Sequence, residues 1–396
     1  MSPELLSHAF TVGIFRFTLI PREPMFVPTV NKANMLRGAF GHAFRRLCCV
    51  PQCASAHECP LASASSCPYK AIFEPSPPPD SDRLSRNQDI PRPFVFRAPL
   101  NDKTKFQPGE EFQFDLVLIG RALDHLPYFV LSFRDLAAQG LGLNRAKCEL
   151  QLVEEETLHS MLQADHPITG SADHPIYDSV DQVFHSPKGL DLGSWISQRV
   201  DQLSCGTDAP GCGPSPSDHP TCPGLPWITG SPDLSRLAVD PSRPAVDHPM
   251  TLKVRFFTPT LLKVENSVRR SPDFHHLLKR LRDRVNALST FFGSGPLDVD
   301  FAALGRRAEQ VRTVTSTVQW IEQFRTSSKT HQRHELSGFT GEMAYQGDME
   351  EFLPWLALGE LVHVGKHTAW GGGWIRLEHV SKTGLYQGTT STACGK

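Results

Sequence analysis

Gly359-Glu-Leu-Val-His-Val-Gly-Lys-His-Thr-Ala-Trp-Gly-Gly-Gly373 runs directly into Trp374-Ile-Arg-Leu-Glu378, so a histidine, a lysine and a glycine-rich loop lie between a helical stretch and a strand. Gly365, Gly371 and Gly373 permit close backbone approach or a positive φ, so that N–H groups can point at phosphate oxygens while Lys366 supplies charge. The alternative is a tight helix-to-strand turn without a ligand. Two better-known phosphate motifs do not fit. Five residues separate Gly359 from Gly365, against the four of a nucleotide-triphosphate loop, and the helix precedes the strand instead of following it. A dinucleotide fingerprint fails on the same order of elements. The loop suits an extended polyanion better than a buried nucleotide.

Outward from this segment, the preceding sequence completes a β-α-β-β-α-β order. Thr251-Leu-Lys-Val-Arg-Phe-Phe257 alternates as a strand, and Pro272 opens a basic helix through Ser289. Thr313 to Phe324 and His334 to Gln346 read as antiparallel strands, and Asp348 as the cap of a helix from Met349 to about Val362. The first part of the chain repeats the order. His8 to Ile20 reads as a strand, with Phe10, Val12 and Ile14 at period two. Asn34 is expected to cap a helix from Met35 to Leu47, whose Leu36, Phe40, Phe44 and Leu47 form one stripe. A loop of about sixty residues then holds Pro75-Ser-Pro-Pro-Pro79. After it come a strand at Phe112 to Ile119, a helix at Pro127 to Gln139, the turn Gly140-Leu-Gly-Leu-Asn-Arg145 and a strand at Lys147 to Val153. One strand is missing from this half and is expected inside the long loop.

The fold class expected is therefore α+β, with two tandem ferredoxin-like (RRM-like) domains. The first occupies 1–155 with a cysteine-containing loop at 48–108, and the second occupies 249–396 with the glycine-rich loop at 365–373. Between them, 156–248 reads as a Pro- and Gly-rich insertion or linker. Its Asp-His-Pro triplets at Asp165, Asp173 and Asp218, with a fourth at Asp247, suit either metal binding or a duplicated spacer, and the spacer is the simpler reading.

The 396 residues are 39% hydrophobic and 21% charged, enough for two domains with their own cores, and the net charge is −2. Any nucleic acid must then be held by local basic patches, because the whole chain offers no attractive field. No run of about 18 apolar residues and no signal-peptide pattern is present, so a cytoplasmic protein without membrane contact is expected. Of ten cysteines, Cys48, Cys49, Cys53, Cys59 and Cys67 cluster. Cys49, Cys53, Cys59 and Cys67, with His57 as an alternate, suit a tetrahedral structural site for zinc or, second, an iron–sulfur cluster. Their spacing is irregular and no Cys-x-x-Cys occurs, so free thiols in a loop stand as the alternative.

Several stretches together resemble the CRISPR repeat-cleaving endoribonucleases of the RAMP superfamily. They are Leu36-Arg-Gly-Ala-Phe-Gly-His-Ala-Phe-Arg45, Cys67-Pro-Tyr-Lys-Ala-Ile-Phe73 with Arg92-Pro-Phe-Val95 and Pro108-Gly-Glu110, and Gly338-Phe-Thr-Gly-Glu342 through Gly373. With Leu252 to Pro259 the likeness spans most of the chain outside the insertion. The insertion is unusually long, and Gly371-Gly372-Gly373 replaces a looser Gly-x-Gly.

The resemblance implies processing of CRISPR precursor RNA on the 3′ side of a repeat hairpin, with no metal or other cofactor in catalysis. A base takes the proton of a ribose 2′-hydroxyl, that oxygen attacks phosphorus, a cation stabilises the added charge and an acid protonates the leaving 5′ oxygen. Histidine suits both proton roles, with an unperturbed pKa near ~6.5. His42 matches the family's catalytic histidine on the first helix, and an exposed histidine without chemistry is its alternative. His363 competes as base or acid, against packing at a helix C-terminus, and Lys366 is the cation for the scissile phosphate. RNA contacts are expected from Arg37, Arg45, Arg46, Arg145, Arg269, Arg270, Lys279, Arg280, Arg282 and Arg284, and from Gly365, Gly371 and Gly373. A solvated helix face is the alternative for the basic row at 279–284. Implied partners are CRISPR repeat or guide RNA and other CRISPR effector subunits. A non-cleaving RAMP subunit that binds guide RNA is the second reading.

Overall fold

Val12–Pro21 (β1) is buried along nearly its whole length, and its alternating residues serve two different cores. Phe15, Phe17 and Leu19 face one cluster while Val12 and Ile14 face another. Period-two alternation sends successive side chains to opposite faces of a sheet, and here both faces are covered. The computed structural model describes residues 3–49, 67–75, 90–163, 174–181, 184–204, 250–265, 267–326 and 333–379.

The first domain continues with a helix Lys32–Cys48 (α1), strands Phe94–Arg97 (β2) and Phe112–Ile119 (β3), a helix Leu126–Gln139 (α2) and a strand Cys148–Glu155 (β4). Strand His174–Asp178 (β5) adds an edge, so the sheet runs β2-β3-β1-β4-β5, antiparallel throughout. The first four strands have ferredoxin-like order, and β2 is the strand expected in the long loop. Phe40 of α1 lies under the sheet, stacked on Phe129 of α2 at 4.4 Å and on Phe44 at 4.9 Å between ring centroids. Burying such a ring contributes roughly 1.5–3 kcal/mol.

Two caps differ from expectation. α1 begins at Lys32, preceded by Asn31 in the left-handed region at φ 62, so Asn34 lies inside the first turn and caps nothing. Asparagine is among the few residues that tolerate that region, which lets the chain turn sharply before the helix. Asp348 likewise precedes no helix directly. A 3-10 turn at Glu350–Phe352 intervenes, and the helix Leu353–Val362 starts with a proline in its first turn, where a missing N–H does no harm.

The second domain repeats the plan. Strand Met250–Thr260 (β6), helices Phe274–Phe292 (α4) and Phe301–Ala308 (α5), strands Arg312–Ser316 (β7) and Gly338–Gly347 (β8), helix Leu353–Val362 (α6) and strand Ile375–His379 (β9) give the order β7-β8-β6-β9. The chain between β7 and β8 is broken into short pieces, including a small hairpin of Phe324–Thr326 with Arg333–Glu335. Leu252, Val254 and Phe256 of β6 face the core. On the other face Lys253 and Arg255 meet Glu342 and Glu378, with Lys253–Glu378 at 2.5 Å and Arg255–Glu342 at 2.6 Å. That face is therefore a polar, ion-paired surface, as expected for an antiparallel sheet covered on one side.

The two domains share a core. Val95, Val117 and Ile119 of the first sheet join the cluster that includes Leu281, Leu358 and Ile375 of the second domain. Part of the stretch 156–248 is built into this junction as the helix Leu192–Ser204 (α3), whose Trp195 donates from Nε1 to Ala357 O at 3.2 Å. Arg199 from the same helix holds Glu360 through two hydrogen bonds of 2.7 and 2.8 Å. The triplets at Asp165, Asp218 and Asp247 lie outside the described residues, and that at Asp173 enters them at His174, where it opens β5.

Candidate nucleic-acid interface

The segment between α6 and β9 is tied down by its own backbone. Val364 N–H donates to Gly373 O at 2.9 Å, Lys366 N–H to Leu261 O at 3.0 Å, and Gly373 N–H to Pro259 O at 3.2 Å. Gly371 and Gly372 donate to Thr368 O and His367 O. The expectation that loop amides face phosphate oxygens is thereby corrected for Gly371 and Gly373, whose donors are committed inside the protein. Their glycine identity has another cause. A Cβ on Gly373 would lie 1.8 Å from Val364 O, and one on Gly371 would lie 2.5 Å from the Cβ of Ala33 on α1, both at positive φ. The glycines let the loop fold back on itself and press against the first domain.

His363 follows α6 with φ 63 and ψ 170, a region rarely adopted by residues other than glycine and worth of order 1–3 kcal/mol of strain. Its imidazole is completely buried. Nδ1 lies 3.0 Å from Gly372 O, and Arg97 Nε donates to Nε2 at 3.3 Å. The ring stacks on Trp374 at 5.6 Å. A carbonyl on one nitrogen and a guanidinium donor on the other define the neutral Nδ1–H tautomer. Burial first, then the Arg97 charge, holds its pKa well below the usual histidine range. This corrects the proton-transfer role expected of His363: with both nitrogens engaged and no exposure, it reaches no ribose hydroxyl. It fixes the glycine loop to the end of α6.

A pH dependence follows from that environment. Below the ordinary histidine value of 6.5 the unfolded chain binds a proton at residue 363 that the folded protein does not, so stability is lost as pH falls through that range. The slope from this single group approaches about 1.4 kcal/mol per pH unit. Urea unfolding between pH 7.5 and 5 should show the slope in the natural protein and lack it in His363→Gln; parallel profiles would refute the assignment.

His42 is exposed on α1, on the side of the helix away from the Phe40 and Phe44 stripe. Lys366 is exposed at the start of the glycine loop. A groove of about 230 Å³ opens beside the loop, lined by Lys32 and Ala33 of α1, Arg97 of β2, and His367, Trp370 and Gly372. Both domains therefore contribute to one cleft. Arg37, further along α1, holds its guanidinium 4.6 Å from the ring centroid of Trp370, a residue of the groove lining.

The remaining basic residues divide. Arg284 is buried, donates to Val362 O at 2.8 Å and has its pKa pulled down to about 9 by desolvation. Arg282 lies over Phe301 at 5.3 Å and donates to the Phe301 carbonyl, tying α4 to α5. Both are removed from the set expected to meet RNA, since their donors serve the fold. Arg280 pairs with Asp283 at 3.3 Å, and Lys279 beside it is half-buried. Arg46 pairs with Asp135 of α2 at 2.7 Å. Arg45 is half-buried, Arg145 is exposed, Arg269 is half-buried, and Arg270 lies over Trp320 at 4.9 Å. Two cations of the cleft went unread in the sequence: Arg92 in the long loop and Arg325 in the short hairpin.

Of the four cysteines expected to bind metal, Cys49 and Cys67 are half-buried and in no disulfide, and Cys53 and Cys59 lie outside the described residues. Cys48 is close enough to both for its pKa to be pushed up to about 12, by burial and then by those neighbours. Among the described residues, the group close enough to share a metal ion is Asp273, His275 and His276, and not a set of thiols. No described helix is long and apolar enough to cross a membrane.

A family model described as the CRISPR-associated endoribonuclease Cas6 matches residues 254–375, and a model described only as an N-terminal domain matches residues 10–186. No curated protein matches. Among solved structures, the chain is similar to a Cas6 product complex at 16% identity and TM-score 0.47, over 93% of this chain and 99% of that one. It is similar to Thermus thermophilus Cas6 at 14% identity and TM-score 0.45, over 93% and 99%. A partial Cas6-RT-Cas1–Cas2 complex gives 13% identity and TM-score 0.48, over 94% of this chain and 47% of that one.

Proposed function

From its membership of the family of CRISPR-associated endoribonucleases called Cas6, to which this chain belongs, we propose that it processes CRISPR precursor RNA into guide RNA by metal-independent cleavage within the repeat. The match over residues 254–375, which includes the whole glycine loop, carries this reading. The cleft between the domains, where Lys32, Arg97, Phe257, Trp370 and Trp374 meet one carboxylate, Asp102, among the described lining residues, supports it.

In the reaction the 2′-hydroxyl of the nucleotide before the cut loses its proton to a base, and its oxygen forms a bond to the adjacent phosphorus. The bond from phosphorus to the 5′ oxygen breaks, and that oxygen takes a proton. The products are a 2′,3′-cyclic phosphate, which water can open to a 3′ phosphate, and a 5′-hydroxyl end. DNA has no nucleophile for this step. His42 is assigned the base role because it is exposed on the helix that borders the cleft. Lys366 is assigned to the scissile phosphate, where its charge offsets the negative charge that develops on the oxygens. His363 acts through the loop that carries Lys366 and is a positioning residue.

The test is incubation of the protein with its own repeat RNA in excess chelator. The expected result is a single cut that leaves a 5′-hydroxyl and a cyclic phosphate. Tight binding without cleavage would instead assign the guide-binding subunit role. Absence of binding would sink both.

A further inference from the structure

Three guanidiniums from three separate segments converge on the ring of Trp370. Arg37 of α1 lies 4.6 Å from its centroid, Arg325 of the short hairpin 5.0 Å and Arg92, just before β2, 5.6 Å. Arg37 also lies over Phe73 at 4.4 Å. The aromatic faces favour each cation singly, but the cations repel one another.

Three donors in this cluster, on Arg37, Arg325 and Trp370, are unmatched by protein acceptors. Nε of Arg37, Nε of Arg325 and Nε1 of Trp370 are buried without a hydrogen-bond partner. A buried donor without a partner is costly, so three in one place call for an acceptor from outside the protein. Arg92 donates from Nε to Phe73 O at 2.9 Å. Burial, and after it the charges of Arg92 and Arg325, pulls Arg37 down to about 9. The carboxylate that opposes this is Glu74, which is itself held by Tyr69 at 3.2 Å and Lys70 at 3.6 Å.

A second charged cluster nearby shows what compensation looks like. The cavity of about 60 Å³ between the domains is lined by Arg16, Arg97 and Arg199 together with Asp115, Glu156 and Glu360. There Arg16 meets Asp115 at 3.2 Å and Glu156 at 2.5 Å, and Arg199 meets Glu360. With Arg376 also in the lining, four guanidiniums and three carboxylates make that cavity an internal ionic core. At Trp370 the carboxylate that acts on Arg37 is Glu74, already engaged by Tyr69 and Lys70.

We propose that Arg37, Arg92 and Arg325, gathered on Trp370, form a phosphodiester site that takes a backbone phosphate of the bound RNA and clamps the strand across both domains. Planar guanidiniums suit this ligand because each offers paired donors to phosphate oxygens, and an anion here removes the repulsion among the three. The assignment of the phosphate to RNA rests on the processing function proposed above.

Affinity for repeat RNA should be measured by fluorescence anisotropy across salt concentrations for the natural protein, Arg37→Gln/Arg325→Gln and Arg325→Lys. The double variant should bind about tenfold more weakly, with a salt slope shallower by roughly 0.7–0.9, the loss of one phosphate contact. Arg325→Lys, which keeps the charge but not the fork, should fall between. Arg312→Gln, which removes an exposed charge outside the cleft, should stay within about twofold of the natural protein, because one remote charge adds little. Unchanged affinity and slope in a double variant that melts normally would overturn the site. Should the natural protein not bind repeat RNA, the processing reading fails, and thermal protection by inorganic phosphate decides the rest. Protection lost in Arg325→Lys would keep an anion site but reject the RNA backbone as its ligand, and no protection would reject the site as well.

Discussion

His42→Ala is expected to slow cleavage of repeat RNA by a factor of about 10²–10⁴, the usual contribution of a positioned acid–base group, while RNA affinity stays within about twofold. The expectation rests on a contrast between two histidines. His363 is closed in on every side, and its two nitrogens are occupied by Arg97 and Gly372. His42 is exposed on α1, a helix that lines the cleft through Lys32 and Ala33. A proton acceptor must come within hydrogen-bond reach of the ribose, and of the two imidazoles only that of His42 is open to a ligand. Single-turnover cleavage at saturating protein separates the chemical step from binding. A rate within tenfold of the natural protein would remove His42 from the mechanism and direct attention to Lys366 and the second exposed groups of the cleft.

Arg97→Ala is expected to destabilise the protein by about 3–5 kcal/mol, the range for breaking one side of a buried charged network. Arg97 ends β2 in the first domain, yet its Nη2 donates to Glu360 O at 2.7 Å and Leu361 O at 3.0 Å in the last turn of α6. Those carbonyls have no partner within the helix, and a cation at a helix C-terminus is also favoured by the dipole. Arg284 serves Val362 O from the opposite side. Alanine would strand two buried carbonyls and the Nε2 acceptor of His363, and would take a positive charge away from Asp115, Glu360 and Glu156. Urea unfolding gives the measurement, and a loss below about 1 kcal/mol would show that water replaces the guanidinium at the junction. Arg97→Lys should recover part of the loss, because one ammonium cannot reproduce the forked contact.

The fold was largely legible in the sequence, and the chemistry of the cleft only in part. Alternation in β1, β3, β6 and β8 and the stripe of α1 gave the repeated order directly. β2 was harder to see because Phe94–Arg97 is buried on both faces, so its residues form a short continuous run without alternation. The helix Leu192–Ser204 has Leu192, Trp195, Ile196, Arg199 and Leu203 at helical spacing, but polar sequence on both sides masked the period. Position along the chain placed His363 beside the glycine loop correctly. Its burial depends on Arg97, 266 residues away, and no local pattern reports a contact of that range. Arg92 and Arg325 were missed for the same reason: each is a solitary cation in irregular chain, and its meaning arises only where three segments meet at Trp370.

The helix Leu192–Ser204 lies in the sequence before β6, yet its Trp195 and Arg199 are fastened to Ala357, Glu360 and Leu377 of the second domain. The two halves are thus not interchangeable modules, despite their common plan. A chimaera joined beyond Ser204 would part Glu360 from Arg199, the partner of its carboxylate among the described residues besides the Leu377 amide, and would bury that charge without its natural cation. Exchange between relatives would preserve this contact only if the crossover fell before Leu192, so that the second half brings its own helix with it.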